Sequence, residues 1–298
     1  MSFSGQSRVI PISGGFHVWT RKVGESPIKL LLLHGGPGST HEYLECFEEQ
    51  LPPEGIEIYF YDQLGSYFSD QPDDPSLWNV ERFREEVEEV RTALGLDQFY
   101  LFGSSWGGFL GIEYALKYQS HLKGLIISNM TASIASYVKR INALRDQLPA
   151  ELVAKMKAYE AAEDYENAEY QELVQLHLNQ QYICRLDPWP DAVVRGFSHI
   201  NPHVYNTMQG PNEFVVTGTF KDWNRWDDLH EIKVPTLLLG GKYDSMDPED
   251  KLEMGRLIPN SRVGICENGS HLSMWDDSET YFNFIKQFIR DVESGEMK

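Results

Sequence analysis

The chain has 298 residues and a formal net charge of −19, because 45 Asp and Glu outnumber 26 Lys and Arg. Hydrophobic residues make up 41% and charged residues 24%, which is ordinary for a globular protein and excludes a disordered, collagen-like or disulfide-dense chain. So acidic a protein is a poor partner for nucleic acids and anionic membranes, whose phosphates bind Lys and Arg.

The first half of the chain alternates short apolar segments with helical patterns. The predicted strands are residues 16–23, 28–33, 56–61, 99–102 and 125–127. The predicted helices between them are residues 42–50, 78–94 and 109–118, and the second shows apolar residues spaced three and four apart. Strands that are apolar throughout are buried on both faces. This order therefore predicts an α/β fold with a mostly parallel sheet flanked by helices.

Each predicted strand ends in a loop rich in Gly, Pro, Asp or Ser. In open parallel sheets, ligands bind outside the carboxyl ends of the strands. We therefore expect the functional residues in the loops that follow Leu33, Tyr61 and Phe102.

The strand pattern is interrupted after about residue 128. The next hundred residues are mainly helical in pattern, with two helices expected at 149–181. Strands return at 235–239 and 262–266, and an amphipathic helix follows at 278–291.

This interruption defines the expected domains. A chain of this length favours one domain with an insertion over three small domains. We therefore expect a core formed by residues 1–128 and 229–298, with residues 129–228 inserted as a helical cap over the strand ends.

The sequence Gly-Ser-Ser-Trp-Gly at residues 103–107 matches the pattern Gly-x-Ser-x-Gly. It follows a predicted strand and precedes a predicted helix, which is the setting of a nucleophile elbow. The glycines are needed because the turn is tight, and a side chain at Gly103 or Gly107 would collide with a neighbouring strand or helix. Ser105 is the candidate nucleophile, and the backbone N–H of Trp106 is a candidate donor to an oxyanion.

A serine hydroxyl needs a base and an orienting acid to act as a nucleophile. In hydrolases with such an elbow, the acid follows the serine and the histidine comes last. Asp244 lies just beyond one predicted strand, and His271 lies in a Gly-containing loop after the last one. Both positions suit a triad with Ser105. The alternative is that Asp244 caps the following helix and His271 is a surface residue.

The sequence His-Gly-Gly-Pro-Gly at residues 34–38 follows another predicted strand. Its glycines allow the backbone to approach the reaction centre, so that a backbone N–H, expected at Gly36, becomes the second oxyanion donor. The alternative is an ordinary Gly-Pro turn.

Together these segments resemble the proline iminopeptidase (prolyl aminopeptidase) family of serine peptidases, within the α/β-hydrolase superfamily. The resemblance covers essentially the whole chain and is carried by residues 34–38, 61–66, 103–107 and 210–214. It implies an α/β-hydrolase core with a helical cap. It also implies a serine aminopeptidase that releases an N-terminal residue, proline preferred, from short peptides or amino-acid amides through an acyl-enzyme.

The resemblance also implies roles for individual residues. Ser105, Asp244 and His271 would form the catalytic triad, while Gly36 and Trp106 would form the oxyanion hole.

Glu213 matches the family's acidic residue that holds the free α-amine of the substrate. A buried carboxylate forms a strong charge-assisted bond with an ammonium group, whereas the alternative for Glu213 is a solvated loop acid. Two positions depart from the family pattern: Ser245 replaces a second acidic residue, and Leu64 replaces a common Arg. These departures leave open the release of other small N-terminal residues and the hydrolysis of amino-acid amides.

Two further hypotheses remain open. An amino-acid amidase or esterase of the same fold, with broader small-residue specificity, would cleave N-blocked esters as well as free-amine amides. A non-catalytic receptor or scaffold with a hydrolase fold is disfavoured by the intact Ser–acid–His order, which a pure binder does not need. Epoxide hydrolases and dehalogenases are disfavoured because they have Asp at the position of Ser105.

No cofactor or metal is predicted, because the other histidines lack metal-ligand spacing and residues 103–108 lack the pattern of a phosphate loop. The three cysteines are far apart, and we see neither a signal peptide nor a membrane-spanning apolar segment. We therefore expect a cytoplasmic protein. Its expected partners are short peptides or amino-acid amides with a free N-terminus, not nucleic acids or membranes, and the sequence indicates no oligomeric state.

Overall fold

The computed structural model describes residues 5–297. Its strands are β1 (Gln6–Pro11), β2 (His17–Val23), β3 (Ile28–Leu33), β4 (Ile56–Tyr61), β5 (Phe99–Ser104), β6 (Leu122–Ser128), β7 (Thr236–Gly241) and β8 (Ser261–Cys266). They form one sheet in the order β1–β2–β4–β3–β5–β6–β7–β8. The β1–β2 and β2–β4 pairs are antiparallel, and the other neighbours are parallel. The predicted α/β fold with a mostly parallel sheet is therefore confirmed.

The central strands form where the sequence is apolar on both faces. Every residue of β4, β5 and β7 is buried, as are the last four residues of β3. Full burial of a leucine side chain stabilises the fold by about 1.5–3 kcal/mol. The four consecutive leucines of β3 therefore fix this strand at the centre of the sheet.

Helices connect the strands and cover the sheet. They are α1 (Phe47–Gln50), α2 (Val80–Leu94), α3 (Trp106–Tyr118), α4 (Ile134–Arg145), α5 (Ala150–Ala161), α6 (Ala168–Val174), α7 (Asp191–Ser198), α8 (Pro202–Met208), α9 (Pro248–Leu257), α10 (Ser273–Asp276) and α11 (Ser278–Ser294). A π-helical segment (Gln175–Ile183) continues α6. Helix α3 packs on β3, β5 and β6, α9 packs on β7 and β8, and α11 packs on β6, β7 and β8.

Some elements differ from the sequence prediction. The sequence does not predict β1, because this edge strand is mostly exposed and lacks an apolar run. The predicted helix at 42–50 divides into a 3-10 turn (Glu42–Leu44) and α1. Helix α2 begins at Val80 rather than at residue 78, because the Asn79 side chain accepts a hydrogen bond from a backbone N–H in the first turn.

The segment between β6 and β7 contains helices α4 to α8 and, among the described residues, no strand of the sheet. It contacts the loops after β3 and β4. The backbone N–H of Asn201 donates to the carbonyl oxygen of Gly38 at 2.8 Å, and the Asn201 side chain donates to the carbonyl oxygen of Gly65 at 2.7 Å. The helical segment therefore lies against the loops at the carboxyl ends of these strands.

Within residues 5–297, no helix combines the length and the apolar character needed to cross a membrane. The three cysteines are free thiols, and two of them are buried.

Candidate active site

Ser105 occupies a strained turn between β5 and α3. Its φ and ψ angles are 56° and −123°, a combination that costs about 1–3 kcal/mol for a residue with a side chain. The turn is held because the Ser105 backbone N–H donates to the carbonyl oxygen of Ser128 at 3.0 Å. A Cβ atom on Gly103 would overlap the backbone of Gly107, and one on Gly107 would overlap the carbonyl oxygen of Leu33. Steric necessity therefore explains both glycines of the motif.

His271 and Asp244 form a buried hydrogen-bonded pair. The distance from His271 Nδ1 to Asp244 Oδ1 is 2.7 Å, and the residues are 5% and 0% exposed. His271 is therefore not a surface residue. Asp244 is not the helix cap either, because the Asp247 side chain caps α9. With Nδ1 bound to a carboxylate, His271 has Nε2 available for a proton from a nucleophile.

The Asp244 carboxylate is held as an anion by several neighbours. Asn129 Nδ2 donates to Oδ2 at 2.8 Å, the Met246 backbone N–H donates to Oδ1 at 2.9 Å, and Lys251 Nζ lies 3.8 Å from Oδ2. Burial alone would raise the pKa of Asp244, but the charges of His271 and Lys251 outweigh it and lower the pKa to about 2. The acid therefore stays ionised and orients the imidazole.

Sequence reasoning did not find Asn129 or Lys251. Asn129 follows β6 directly and has a φ of 53°, a conformation that Asn tolerates better than most residues. Its only sequence signal is its position at a strand end. Lys251 lies on α9 and is 1% exposed, although the sequence pattern around it does not indicate burial. Both residues reach Asp244 only because β6, β7 and α9 are neighbours in the fold.

Two backbone N–H groups near Ser105 are available to an oxyanion. Gly36 has a φ of 110°, which favours glycine. Within the described chain, neither the Gly36 N–H nor the Trp106 N–H donates to another group. The Gln63 side chain links the loop after β3 to the start of α3. It accepts a hydrogen bond from Trp106 Nε1 at 2.8 Å and donates one to the carbonyl oxygen of His34 at 3.1 Å.

Glu213 lies beside His271. Its Oε1 atom is 4.0 Å from His271 Nε2 and 3.2 Å from Ser245 Oγ, and its side chain is 20% exposed. Burial raises the pKa of Glu213, and the neighbouring positive charge of His271 opposes that rise. Glu213 is therefore not a solvated loop acid.

A cavity of about 310 Å³ joins these groups, because Ser105, His271 and Glu213 all line it. Beside it lies a narrow recess with mainly apolar walls. The recess is lined by Gly36, Ser105, Trp106, Phe109, Met130, Ile134, Tyr137, Gln209, Glu213, Phe220 and Met246. The arrangement places a hydroxyl, an imidazole and a carboxylate around one space with a small apolar side chamber.

The two departures from the family pattern have different locations. Ser245 Oγ lies within 3.2 Å of both Glu213 Oε1 and His271 Nδ1. Leu64 is 1% exposed and is not a lining residue of the cavity or the recess. Its backbone N–H donates to the buried Glu86 at 2.9 Å. Ser245 is therefore the departure that reaches the site.

The described residues contain no cluster of three or more His, Cys, Asp or Glu side chains with the geometry of a metal site.

Known proteins share this fold and much of this sequence. The alpha/beta hydrolase fold family matches residues 29–278. The proline iminopeptidase of Elizabethkingia meningoseptica is 49% identical over 294 residues, which cover 96% of this chain and 99% of that protein. The structure of VinJ has a TM-score of 0.91 at 34% identity, over 97% of this chain and 98% of that chain. The proline iminopeptidase structure from Mycobacterium smegmatis has a TM-score of 0.89 at 30% identity, over 98% and 100% of the two chains.

Such identity over nearly the full length confirms the resemblance carried by the sequence motifs: the chain belongs to the α/β-hydrolase fold family and, within it, to the proline iminopeptidases.

Proposed function

We propose that this protein is a serine aminopeptidase that releases an N-terminal residue, proline preferred, from short peptides or amino-acid amides. The observation that carries the proposal is the meeting of Ser105, the His271–Asp244 pair and Glu213 around one cavity. A nucleophile with a base gives acyl transfer, and a mostly buried carboxylate beside it selects a substrate with a free amine.

In this mechanism, Ser105 Oγ attacks the first carbonyl carbon of the substrate while His271 Nε2 takes the hydroxyl proton. The N–H groups of Gly36 and Trp106 stabilise the negative charge on the tetrahedral intermediate. His271 then gives the proton to the leaving amine, which departs and leaves an acyl-enzyme. Water, activated by the same imidazole, releases the free amino acid.

Glu213 is proposed to hold the α-ammonium group of the substrate. Its side chain is mostly buried, so a substrate without the amine leaves this charge unpaired once His271 is in the neutral form that attack by Ser105 requires. The walls of the recess beside Ser105 are mainly apolar, which favours an apolar first side chain such as the ring of proline.

A second candidate function is that of an amino-acid amidase or esterase with broader small-residue specificity. It is favoured by Ser245, whose neutral hydroxyl stands beside Glu213 where a second acid would strengthen amine recognition. A non-catalytic scaffold is disfavoured, because a pure binder has no need of a strained serine beside a buried His–Asp pair.

We also propose that residues 129–228 act as a cap over the site. The proposal is supported by the helical content of this segment and by its hydrogen bonds to the loops after β3 and β4. A cytoplasmic location is proposed as well, and the free cysteines support it.

A substrate panel tests the function directly. We expect prolyl-arylamide to be cleaved faster than alanyl-arylamide, and N-blocked prolyl-arylamide to be the poorest substrate. Equal cleavage of blocked esters and free-amine amides would favour the broader esterase or amidase.

A fluorophosphonate probe identifies the nucleophile. Ser105→Ala is expected to abolish labelling and to lower kcat by about 10⁴-fold or more, because loss of the nucleophile costs about as much activity as loss of the whole triad. Ser104→Ala, which alters the neighbouring serine of the same motif, is the control and is expected to keep labelling. Labelling that survives in Ser105→Ala would contradict the mechanism, and absence of labelling in the wild type would favour the scaffold.

A further inference from the structure

His271 lies between two carboxylates. Its Nδ1 atom binds Asp244 Oδ1 at 2.7 Å, and its Nε2 atom faces Glu213 Oε1 at 4.0 Å. Nε2 is the atom that must accept the proton of Ser105. In the described chain, the Ser105 hydroxyl makes no hydrogen bond to His271, although both line the same cavity. The free enzyme therefore has an acidic neighbour at the nitrogen that the reaction needs.

Ser245 connects the two carboxylates. Its Oγ atom is 3.2 Å from Glu213 Oε1, 3.4 Å from Asp244 Oδ1 and 3.2 Å from His271 Nδ1. Because Ser245 is neutral and fully buried, it adds no charge of its own. Asp244 and Glu213 are therefore the acids that face the imidazole.

The charges around His271 favour its protonated form. Burial lowers the pKa of His271, but Asp244 and Glu213 outweigh burial and raise the pKa above its ordinary value. Lys251, on the far side of Asp244, lowers it. Glu213 also faces the buried Tyr137 and the half-buried Tyr205. The pKa values of both hydroxyl groups are raised well above normal by desolvation and by this acid, so both stay neutral.

We propose that Glu213 has a second role: in the free enzyme its carboxylate pairs with protonated His271, and the ammonium group of the substrate takes over that carboxylate. His271 then loses its Nε2 proton to water and becomes the base for Ser105. The substrate's amine thus activates the base that attacks its own carbonyl. This inference rests on the proposed aminopeptidase function, in which Glu213 binds the amine.

The proposal predicts two different pH profiles in one enzyme. The acid limb of kcat/KM reports His271 in the free enzyme, and the acid limb of kcat reports it in the substrate complex. A bound ammonium neutralises Glu213 and lowers the pKa of His271. The acid limb of kcat is therefore expected about 1 pH unit below the acid limb of kcat/KM. One unit is the smaller end of the pKa shift that a single charge causes at 4–6 Å.

An NMR titration tests the same coupling without turnover. The Cε1–H resonance of His271, assigned by its loss in His271→Gln, is followed against pH in the wild type and in Glu213→Gln. Removing the anion is expected to lower the pKa of His271 by about 1 unit. Pyrrolidine, a protonated ring amine, is expected to lower it in the wild type but not in Glu213→Gln. Tetrahydrofuran is the neutral ring control and is expected to leave it unchanged.

An unchanged pKa of His271 in Glu213→Gln, or in the wild type with saturating pyrrolidine, would overturn this inference. So would coinciding acid limbs for kcat and kcat/KM with prolyl-arylamide. These outcomes differ from failure of the proposed function, which would appear as no cleavage of prolyl-arylamide at all.

Discussion

Lys251 is buried beside the proposed triad acid. It is 1% exposed, its aliphatic stem packs against Gly240, and its Nζ lies 3.8 Å from Asp244 Oδ2 without a hydrogen bond to any described atom. Burial lowers the pKa of Lys251, and Asp244 opposes that change. An ammonium group in this place acts through charge, holding Asp244 ionised and disfavouring a proton on His271.

Lys251→Met tests this electrostatic role, because Met keeps the length and the apolar stem. Loss of the positive charge raises the pKa of His271. The acid limb of kcat/KM for prolyl-arylamide is therefore expected to move to higher pH by roughly half a unit. Arg256→Met, on the same helix but exposed and paired with Glu253, is the matched control and should leave the limb in place. A limb that stays fixed or moves to lower pH in Lys251→Met would show that Lys251 has only a packing role.

At the scale of elements, the approach of α3 to the sheet depends on the absence of side chains. A Cβ atom on Gly107 would overlap the carbonyl oxygen of Leu33, so α3 and β3 would have to separate. Gly111, one turn further along α3, has room, because its Cβ would lie 3.5 Å from Leu125 Cδ1. Comparing Gly107 with Gly111 therefore separates the effect of close backbone approach from the effect of helix propensity.

Alanine at these two positions is expected to have opposite effects on the free energy of unfolding. Gly107→Ala should destabilise the protein by about 3 kcal/mol or more, the upper part of the range for overpacking. Gly111→Ala should be neutral or stabilising by up to about 1 kcal/mol, since Ala is the better helix former. Urea unfolding midpoints measure both. Equal midpoints would contradict the tight contact between α3 and β3.

Sequence patterns predicted the interior strands and the edge strand β8 well, but missed the edge strand β1. The all-apolar strands and the Gly-rich turn at Ser105 have local causes, so they can be read from the chain alone. Strand β1 carries no such signal, because an exposed edge strand does not need apolar residues on both faces. The pattern also could not indicate that Asn129 and Lys251 reach Asp244, since that contact depends on strand order and on the position of α9.

The whole molecule carries a formal charge of −19, and its proposed active site contains two acids, the amine-binding Glu213 and the triad acid Asp244. A negative field raises the local concentration of cationic substrates and is screened by salt. The sequence supplies the sign of this charge. It could not supply the position of Glu213 at 4.0 Å from His271, because the two residues come from segments that meet only in the folded chain.

This field predicts a salt-dependent capture of substrate. As ionic strength rises from low to about 0.5 M, kcat/KM for a free-amine prolyl-arylamide is expected to fall by about 2- to 10-fold. A neutral ester measured in parallel should change little. Equal salt responses for the two substrates would mean that the acidic surface serves solubility alone.

The most direct test of the central claim is the ratio of kcat/KM for prolyl-arylamide to that for its N-acetylated form, in the wild type and in Glu213→Gln. We predict a wild-type ratio of about 100 or more, since a buried carboxylate left unpaired beside neutral His271 costs about 3 kcal/mol, and at least a tenfold fall in Glu213→Gln. Glu169→Gln, an exposed acid on α6, should keep the wild-type ratio. A Glu213→Gln enzyme with the full wild-type ratio would contradict the role of Glu213 as the amine anchor.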